Sequence, residues 1–374
     1  MTPGASDPGD MNARIGHGNV PEHGTRYGST EHPMPNKNRE IHLKRRPVGM
    51  PVADDFELVE TPVPEPADGQ FVVRNVWMTV DPYMRGRMMD RKSYVPPFQV
   101  GAVLDGGSIG QVVKSRNSGF AEGDYVCGFA AGGWREYNLT EGMMFQKVDP
   151  ALAPLQCYLG VLGMPGLTAY SSLLRIGEPR KGETVFVSAA AGAVGSVVAQ
   201  ISKIKGCRVV GSAGSDDKCR WLSEQAGVDA TVNYRKAGNL LEAASQACPN
   251  GIDIYYENVG GEHLEVALEL MNSRGRLVMC GMISMYNSVE PPPGPRNLVH
   301  LIGKSLRMQG FIVSDFIDMV PQFYADMGEW IRAGKIRWQE TVHEGIAEAP
   351  AAFLGLFRGD NSGKMLVRLG PDRL

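Results

Sequence analysis

The fold is decided by the stretch TVFVSAAAGAVGSVVAQISKIKGCRVVGSAGSDDK, residues 184–218. It begins with a short β-branched and aromatic run, continues through small residues, returns to apolar residues at helical spacing and ends with a second apolar run. This order predicts a strand, a tight turn, a helix and another strand. Gly192 and Gly195 let the backbone turn sharply and approach a ligand, and free N–H groups at the start of a helix favour a pyrophosphate. The stretch therefore predicts a dinucleotide site.

The glycine pattern of this turn is incomplete, because Ala190 stands where the dinucleotide fingerprint has its first glycine. Its surroundings restore the signal, since a second strand follows the helix after Gly206 and completes a βαβ unit. The alternative interpretation is that the glycines only permit close packing of the helix on the strand. We favour nucleotide binding.

The end of the second strand indicates which dinucleotide binds. An NAD enzyme usually carries Asp or Glu there for the ribose 2′-hydroxyl, whereas residues 211–214 read GSAG. The missing carboxylate leaves room for a 2′-phosphate, and Lys218 is close enough along the chain to pair with it, so NADPH is favoured over NADH. In the competing interpretation Asp216 or Asp217 binds the ribose and Lys218 is a solvated helix residue. Ser215 or Asp216 would cap the following helix.

Length and composition limit the remaining possibilities. A chain of 374 residues is long for one core and predicts two domains. The net charge of -3 gives no basic excess for nucleic acid, and no apolar run reaches the roughly 20 residues that span a membrane. The N-terminus lacks the pattern of a signal peptide, which favours the cytoplasm. The six cysteines and seven histidines show no ligand spacing, so we expect neither a metal site nor a disulfide framework.

The chain divides into three parts. Residues 1–36 are poor in apolar side chains and are predicted to be a disordered N-terminal tail. Short strands in residues 37–161, joined by a returning strand, helix and strand in residues 337–374, predict a β-rich, partly open barrel. Repeated βα units in residues 162–336 predict a doubly wound parallel sheet, the Rossmann dinucleotide-binding fold. The predicted fold class is therefore α/β with a second, β-rich domain.

Some single elements also follow from local patterns. We expect strands at residues 100–113 and 306–313 and an amphipathic helix at residues 316–333. A turn at Pro82 would hold Tyr83 at the carboxyl end of a strand, where functional sites commonly lie. Taken alone, such a tyrosine is more often a packing residue with a satisfied hydroxyl than a substrate contact.

A series of motifs then occurs in one order along the chain: MTVDPYMRGRM, GMPGLTAY, AAAGAVGSVVAQ, GSDDK, NYR, YYENVGG, CGMISMYN and APAAFLGLFRGDNSGK. On these motifs, the chain resembles the zinc-free medium-chain dehydrogenase/reductase family, in the branch of leukotriene B4 12-hydroxydehydrogenase, prostaglandin reductase, plant alkenal double-bond reductases and bacterial curcumin reductase. The resemblance covers about residues 38–369. It implies a GroES-like fold for the β-rich domain.

The resemblance also implies the site residues. Tyr286 and Tyr83 would face the substrate as catalytic residues, and no metal ligand is implied. The implied cofactor-binding residues are Gly192, Ala193, Val194, Gly195, Lys218, Tyr234, Asn258, Cys280, Gly281, Met282, Ile283, Ser284, Tyr286, Phe311, Ile312, Val313 and Asn361. Glu257 departs from the family, in which Asp often stands before the asparagine, so we expect a shifted local loop with the same cofactor.

The implied reaction is the NADPH-dependent reduction of the C=C double bond of an α,β-unsaturated aldehyde or ketone, by hydride transfer to the β-carbon and protonation of the enolate. The enolate oxygen needs a hydrogen-bond donor, for which Tyr286 and the cofactor ribose hydroxyl are candidates. The proton would come from Tyr286 or from water. Alternatively, Tyr286 only packs against the nicotinamide and orients the substrate.

Two other functions stay open. A zinc-free NADPH quinone reductase of the same superfamily would reduce quinones and leave alkenals untouched, although the DPYMR and GMISMYN segments weigh against it. A non-catalytic NADPH-binding protein would turn over none of these compounds. The resemblance further implies a homodimer joined through the edge strand at residues 306–313, with no nucleic-acid or membrane partner.

Overall fold

The computed structural model describes residues 36–372 of the chain. The predicted tail, residues 1–36, therefore lies outside the described residues except for Asn36. All elements and contacts below belong to the described part. Within that part, no helix is both long enough and apolar enough to cross a bilayer.

Short strands make up the N-terminal part of the described chain. In chain order the elements are β1 (Lys37–Leu43), β2 (Phe56–Pro62), β3 (Phe71–Thr79), α1 (Met84–Arg87), β4 (Ser108–Ser115), β5 (Tyr125–Gly128), β6 (Tyr137–Thr140) and β7 (Phe145–Lys147). β1 and β2 form an antiparallel ribbon, and β3 pairs with both β4 and β6. β3 is buried over almost its whole length, because its valines and aromatic residues lie in the middle of this sheet.

Strands and helices alternate in the middle of the chain. The elements are α2 (Met164–Ser172), β8 (Thr184–Val187), α3 (Gly195–Ile204), β9 (Arg208–Ala213), α4 (Asp216–Glu224), β10 (Ala230–Asn233), α5 (Leu240–Ala247), β11 (Ile252–Glu257), α6 (Glu262–Leu270), β12 (Met271–Met279), α7 (His300–Gly303), β13 (Arg307–Gly310) and α8 (Val320–Arg332). Ser215 caps α4, because its hydroxyl accepts the backbone N–H of Lys218 at 3.3 Å. The predicted cap is confirmed at Ser215.

The strands β8 to β13 form one parallel sheet in the order β10-β9-β8-β11-β12-β13. Val185 and Val187 pack on one face of the sheet and Phe186 on the other, so the sheet is buried on both sides. The strand order reverses between β8 and β11, and in doubly wound sheets ligands bind beyond the carboxyl ends of the strands at such a reversal. The predicted doubly wound parallel sheet is confirmed, and its switch point marks the place for a nucleotide.

The C-terminal segment pairs with the N-terminal strands. Its elements are β14 (Glu340–Glu344), α9 (Ala349–Arg358) and β15 (Lys364–Arg368). β15 pairs antiparallel with β3 and completes a mixed sheet in the order β14-β15-β3-β4-β5-β7. Phe353 of α9 packs edge-on against the buried Trp134, with 5.8 Å between the ring centroids. We call β1 to β7 with β14, α9 and β15 the mixed-sheet part, and α2 to α8 the nucleotide part.

Two predicted strands are shorter than expected. The strand expected at residues 100–113 begins only at Ser108, because the preceding residues run beside β1: the N–H of Gly101 donates to the carbonyl of Leu43 at 2.8 Å. Gly101 has a φ of +80°, which interrupts an extended strand. The strand expected at residues 306–313 is limited to β13.

The helix expected at residues 316–333 also begins later, at Val320. The carboxylate of Asp315 accepts the backbone N–H of Ile312 at 3.0 Å and turns the chain into the short 3₁₀ segment Val313–Met319. Phe316 has non-helical backbone angles, and Pro321 lies in the first turn of α8, where its missing N–H costs nothing. The prediction was therefore wrong by about one turn.

Candidate active site

Most of the residues predicted to bind the cofactor follow the carboxyl ends of the parallel strands. Asn361 and Tyr83 come instead from the mixed-sheet part. The others are the turn at residues 192–195 after β8, Lys218 in α4 after β9, Tyr234 after β10, Asn258 after β11, residues 280–286 after β12 and residues 311–313 after β13. Since these ends meet at one edge of the sheet, the fold gathers residues that are far apart in sequence.

The turn between β8 and α3 is shaped for close approach. A Cβ atom at Gly195 would lie 2.4 Å from the carbonyl oxygen of Ala189, so only glycine fits there, whereas at Gly192 the same distance would be 3.2 Å. Within residues 36–372, the backbone N–H groups of Ala193, Val194 and Gly195 have no hydrogen-bond acceptor. Three free donors at a helix N-terminus suit a pyrophosphate.

The C-terminal segment lies directly against this turn. The N–H of Gly363 donates to the carbonyl of Ala191 at 2.8 Å, and Gly363 and Gly192 form an isolated parallel bridge. The side-chain amide of Asn361 donates to the carbonyl of Gly363 at 2.8 Å. The mixed-sheet part therefore contacts the nucleotide turn where Asn361 was predicted to act.

Asn258 is held by a buried network at the end of β8. Its side-chain amide donates to the carbonyl of Ser188 at 2.7 Å, and its backbone N–H donates to the Ser188 hydroxyl oxygen at 2.8 Å. The Ser188 hydroxyl in turn donates to Glu257 at 2.9 Å. Glu257 is fully buried, and this burial raises the pKa of its carboxyl group. The residue that departs from the family pattern thus anchors the loop that carries Asn258.

Two cations lie at the ends of β9 and β10. Lys218 donates from Nζ to the carbonyl of Gly359 at 2.7 Å, and Arg235 donates from Nη2 to the carbonyl of Arg358 at 2.8 Å. Burial and the Arg235 charge lower the pKa of Lys218. Tyr234 directly precedes Arg235 in the sequence, and its ring packs edge-on against His263, with 5.1 Å between the ring centroids.

The two carboxylates of the competing interpretation are occupied elsewhere. Asp216 accepts the side-chain amide of Asn233 at 2.6 Å and pairs with Lys236. Asp217 pairs with Arg220 at 2.9 Å on the exposed face of α4. These contacts direct both carboxylates to neighbouring side chains, whereas the Nζ of Lys218 is paired with no carboxylate within residues 36–372.

Tyr286 follows β12 in a loop that contains the short 3₁₀ segment Ile283–Met285. Its hydroxyl oxygen accepts the backbone N–H of Met282 at 3.2 Å, and it would lie 3.0 Å from a Cβ atom at Gly281. Burial raises the pKa of this phenol, so it is protonated at neutral pH. Because the oxygen accepts a hydrogen bond, its own hydrogen remains free to donate.

The chain segments that carry Tyr83 and Tyr286 are connected by a buried arginine that the sequence did not single out. Arg85 donates from Nε to the side-chain oxygen of Asn287 at 2.9 Å and from Nη2 to the carbonyl of Gly49 at 2.8 Å. Only 2% of Arg85 is exposed. The hydroxyl of Tyr83 is buried and has no hydrogen-bond partner within residues 36–372, and burial raises its pKa. Both tyrosines thus carry hydroxyl hydrogens that can be donated.

The remaining predicted residues line the ends of β12 and β13. Cys280 carries a thiol whose pKa is raised to about 11 by burial, so it is protonated. Phe311 packs against Phe316 with 5.7 Å between the ring centroids, and Ile312 is held by Asp315 as described above. Within the described chain, no hydrogen bond joins Cys280, Phe311 or Ile312 to Tyr286, whose backbone N–H donates to the carbonyl of Ile283 at 3.3 Å.

Three supporting residues were missed by sequence reasoning: Arg235, Arg85 and Asn287. A signal existed for Arg235, since a second cation directly after a parallel strand must lie at the same sheet edge as Lys218. No signal existed for the contact between Arg85 and Asn287, because 202 positions separate them.

Two protein-family models match the chain, one described as the N-terminal domain of oxidoreductase over residues 39–148 and one as zinc-binding dehydrogenase over residues 193–330. The NADPH-dependent curcumin reductase of Escherichia coli is 43% identical over 90% of this chain and 98% of that protein. The NADP(+)-dependent 2-alkenal reductase of Nicotiana tabacum is 42% identical over 90% of this chain and 98% of its own length. Among solved structures, CurA from Vibrio vulnificus in complex with NADPH matches with a TM-score of 0.85 at 42% identity, covering 89% of this chain and 99% of that one.

The description of the second model names zinc, and the described residues do not fit that metal. Within residues 36–372, no group of three or more His, Cys, Asp or Glu side chains is placed to hold a metal ion. The groups that the fold does bring to this sheet edge include the hydroxyl of Tyr286 and the free N–H groups of the nucleotide turn.

Proposed function

Because this chain belongs to the zinc-independent branch of the medium-chain dehydrogenase/reductase family, we propose that it reduces the C=C double bond of α,β-unsaturated aldehydes and ketones with NADPH. Its relatives include an NADPH-dependent curcumin reductase and an NADP(+)-dependent 2-alkenal reductase, which favour this reaction. One observation carries the proposal: the hydroxyl group of Tyr286 has a free hydrogen at the carboxyl end of β12. That hydrogen can stabilise the oxygen of a conjugated carbonyl compound.

The proposed cofactor fits the residues at the sheet edge. The three free N–H groups at the start of α3 suit a pyrophosphate, and Lys218 suits a 2′-phosphate, since no carboxylate occupies residues 211–214. The residues that we propose to hold NADPH are residues 192–195, Lys218, Tyr234, Asn258, residues 280–286, residues 311–313 and Asn361.

When bound, NADPH supplies the hydride that the β-carbon of the substrate accepts. The protein supplies a donor for the negative charge that then develops on the substrate oxygen. Tyr286 suits this task because it is protonated at neutral pH and its oxygen is already fixed by the N–H of Met282. Its hydrogen bond strengthens as the charge develops, and the same hydroxyl can pass its proton on to the enolate.

We assign Tyr83 to substrate orientation. Its hydroxyl is buried and has no hydrogen-bond partner within the described chain. A substrate oxygen that accepts a hydrogen bond from this hydroxyl would satisfy it. Burial is the main cause that raises the pKa of Tyr83, and the negative charge of Asp81, two residues earlier, raises it further. Such a phenol donates a hydrogen bond and keeps its proton, which suits binding more than proton transfer.

We also propose a cytoplasmic homodimer with two domains, residues 37–161 with 337–374 and residues 162–336. The six cysteines are free thiols, which suits a reducing compartment. β13 is an edge strand, and Val299, Ile302 and Ile317, in the chain segments before and after it, are more than half exposed, so that a second copy could cover them. Light scattering that gives a monomer at micromolar concentration would contradict the dimer.

The reaction is tested by following the loss of NADPH absorbance with a panel of enals, enones and quinones. We expect turnover of enals and enones, with the product saturated at the C=C bond and the carbonyl group intact. Reduction of quinones alone would replace the proposal with a quinone reductase. Binding of NADPH without turnover of any compound would replace it with a non-catalytic NADPH-binding protein.

A further inference from the structure

The two cations at the nucleotide edge converge on the last residues of α9. Gly359 ends this helix with a φ of +75°, and a Cβ atom placed there would lie 3.3 Å from Nη2 of Arg235 and 3.9 Å from Nζ of Lys218. Each cation donates one hydrogen bond to a carbonyl of this helix end, at 2.8 and 2.7 Å. Carbonyl groups at a helix C-terminus carry partial negative charge and attract cations.

The two cations have no carboxylate partner within residues 36–372. Against burial and the Arg235 charge, which lower the pKa of Lys218, the charge of Asp360 raises it, but Asp360 is itself paired with Nε of Arg358 at 2.8 Å. Two neighbouring positive charges without a counter-ion repel each other unless an anion joins them. Arg235 and Lys218 also keep most of their N–H groups free, since an arginine has five donors and a lysine three.

The space beside these cations is kept open by a glycine at the end of β9. A Cβ atom at Gly214 would lie 2.9 Å from the hydroxyl oxygen of Tyr234 and 3.3 Å from Nε of Arg235. In a doubly wound sheet, the end of the second strand is where the adenosine ribose is bound. Arg235 therefore faces the position at which a 2′-substituent of that ribose would lie.

We propose that Arg235 is a second ligand of the cofactor 2′-phosphate, and that the end of α9 holds Arg235 and Lys218 in place for that anion. The inference rests on the proposed use of NADPH and extends it to cofactor specificity. A guanidinium and an ammonium group fixed before binding lose little side-chain entropy when the phosphate arrives. The choice of NADPH over NADH is thus built by the nucleotide part and the mixed-sheet part together.

The proposal predicts that the mixed-sheet part contributes to cofactor affinity without touching the cofactor phosphate. α9 is anchored in the core of the mixed-sheet part through Phe353 and Ala352, which are fully buried. The end of α9 is therefore held in one position by the core and does not move with the side chains of Lys218 and Arg235. It acts as a fixed acceptor that positions both cations.

The experiment measures Kd for NADPH, NADH and 2′,5′-ADP by calorimetry, on the full chain. Arg235→Gln removes the charge and leaves a shorter, uncharged polar side chain, so we expect NADPH and 2′,5′-ADP to bind about 10-fold to 100-fold more weakly while NADH changes by less than about 3-fold. Lys218→Ala is the reference for the proposed function, and Arg220→Gln is the control, because Arg220 is an exposed arginine on α4 that pairs with Asp217.

The role of α9 is tested with a matched pair of glycines. Gly359→Ala introduces a Cβ atom against Arg235, whereas Gly334→Ala introduces the same strain at a φ of +66° after α8 with no atom within 4 Å. We expect only Gly359→Ala to weaken NADPH binding selectively. Equal Kd values for the two variants would overturn the role of α9.

The outcomes also separate this inference from the proposed function. If the wild-type chain binds NADPH no more tightly than NADH, the proposed cofactor is wrong, and the inference fails with it. If the wild-type chain prefers NADPH and Lys218→Ala abolishes that preference while Arg235→Gln does not, only the inference fails. A selective loss in both variants supports both.

Discussion

The two halves of the candidate site are constructed in different ways. The centre of the nucleotide half consists of backbone groups from one short turn, residues 192–195, in which three N–H groups are free. The substrate half consists of side chains from separate segments, since Arg85 connects the carbonyl of Gly49 with the side chain of Asn287. One half depends on local backbone shape and the other on long-range side-chain contacts.

This difference determines what a mutation can do. In a backbone site, a substitution acts by blocking space, and its effect falls on cofactor binding. In a side-chain site, a substitution acts by removing one donor or one support, and its effect falls on the rate of reaction. A single substitution that changes both cofactor binding and the reaction rate would show that the two halves are not separate.

The largest effect is expected for Gly195→Ala in the nucleotide half. The added Cβ atom would lie 2.4 Å from the carbonyl oxygen of Ala189 and 2.9 Å from Cα of Ala190, so the backbone of the turn must move. We expect the Kd for NADPH to rise by about 1,000-fold or more, about 4 kcal/mol. Calorimetry measures this value, and circular dichroism checks that the variant is folded.

Gly192→Ala is the control in the same turn. Its Cβ atom would lie 3.2 Å from the same carbonyl oxygen and meet no other atom within 4 Å, so a small adjustment suffices. We expect a loss of NADPH binding at least 10-fold smaller than in Gly195→Ala. Equal losses would mean that the shape of the turn does not decide binding.

The second effect is the pH dependence of the free energy of unfolding that His263, a buried residue of the nucleotide part, is expected to cause. His263 is buried, shares a hydrogen bond of 2.9 Å with Ser212, and has a pKa lowered to about 4 by burial. The unfolded chain binds this proton near pH 6.5, so the stability that neutral His263 contributes is complete above pH 6.5 and is lost as the pH falls towards 4. The loss amounts to about 3 kcal/mol.

Urea unfolding of the wild-type chain and of His263→Gln between pH 7 and pH 4 measures this contribution. Glutamine keeps a donor for Ser212 and cannot be protonated in this range. We expect the stability difference between the two chains to shift in favour of the variant by about 3 kcal/mol on acidification. A constant difference over this range would show that His263 is not responsible.

Sequence reasoning succeeded where the determinants are consecutive. The order of strand, turn, helix and cap in residues 184–218 predicted the parallel sheet, the turn and the cap at Ser215, because each follows from neighbouring residues. It failed where a remote or side-chain contact decides the outcome. The strand expected at residues 306–313 ends early because Asp315 captures the N–H of Ile312, and the contact of Arg235 with Arg358 joins residues 123 positions apart.

The third effect tests the substrate half through Tyr286→Phe. This change removes the hydroxyl group and keeps the ring, so packing against the loop is preserved. If the hydroxyl donates to the developing enolate oxygen, kcat should fall by on the order of 100-fold, while the Kd for NADPH should stay within about 3-fold. Tyr83→Phe should instead raise the substrate KM more than it lowers kcat.

An unchanged kcat in Tyr286→Phe would contradict this assignment, provided that a deuterium isotope effect shows hydride transfer to be rate-limiting. In that case Tyr286 would only pack and orient, and the donor must be another group. A loss of NADPH affinity in Tyr286→Phe would instead show that the two halves of the site are not separate. The hydroxyl of Tyr286 would then contribute to cofactor binding as well as to the reaction.

The smallest effect tests whether long-range support matters in the substrate half. Asn287→Ala removes the oxygen that accepts Nε of Arg85 and leaves the loop of Tyr286 without this anchor. We expect kcat/KM to fall about 10-fold, with NADPH binding unchanged. Asn287→Asp keeps an acceptor and adds a negative charge beside the buried Arg85, so it should keep activity within about 3-fold.

The double variant Tyr286→Phe with Asn287→Ala decides how the support acts. If Asn287 works by positioning the Tyr286 hydroxyl, its removal costs little once that hydroxyl is gone, and the double variant should be no slower than Tyr286→Phe alone. If the two losses multiply, Asn287 and Arg85 act on the substrate by a separate route. Comparable losses in Asn287→Ala and Asn287→Asp would exclude the hydrogen bond to Arg85 as the cause, since only the first variant lacks an acceptor.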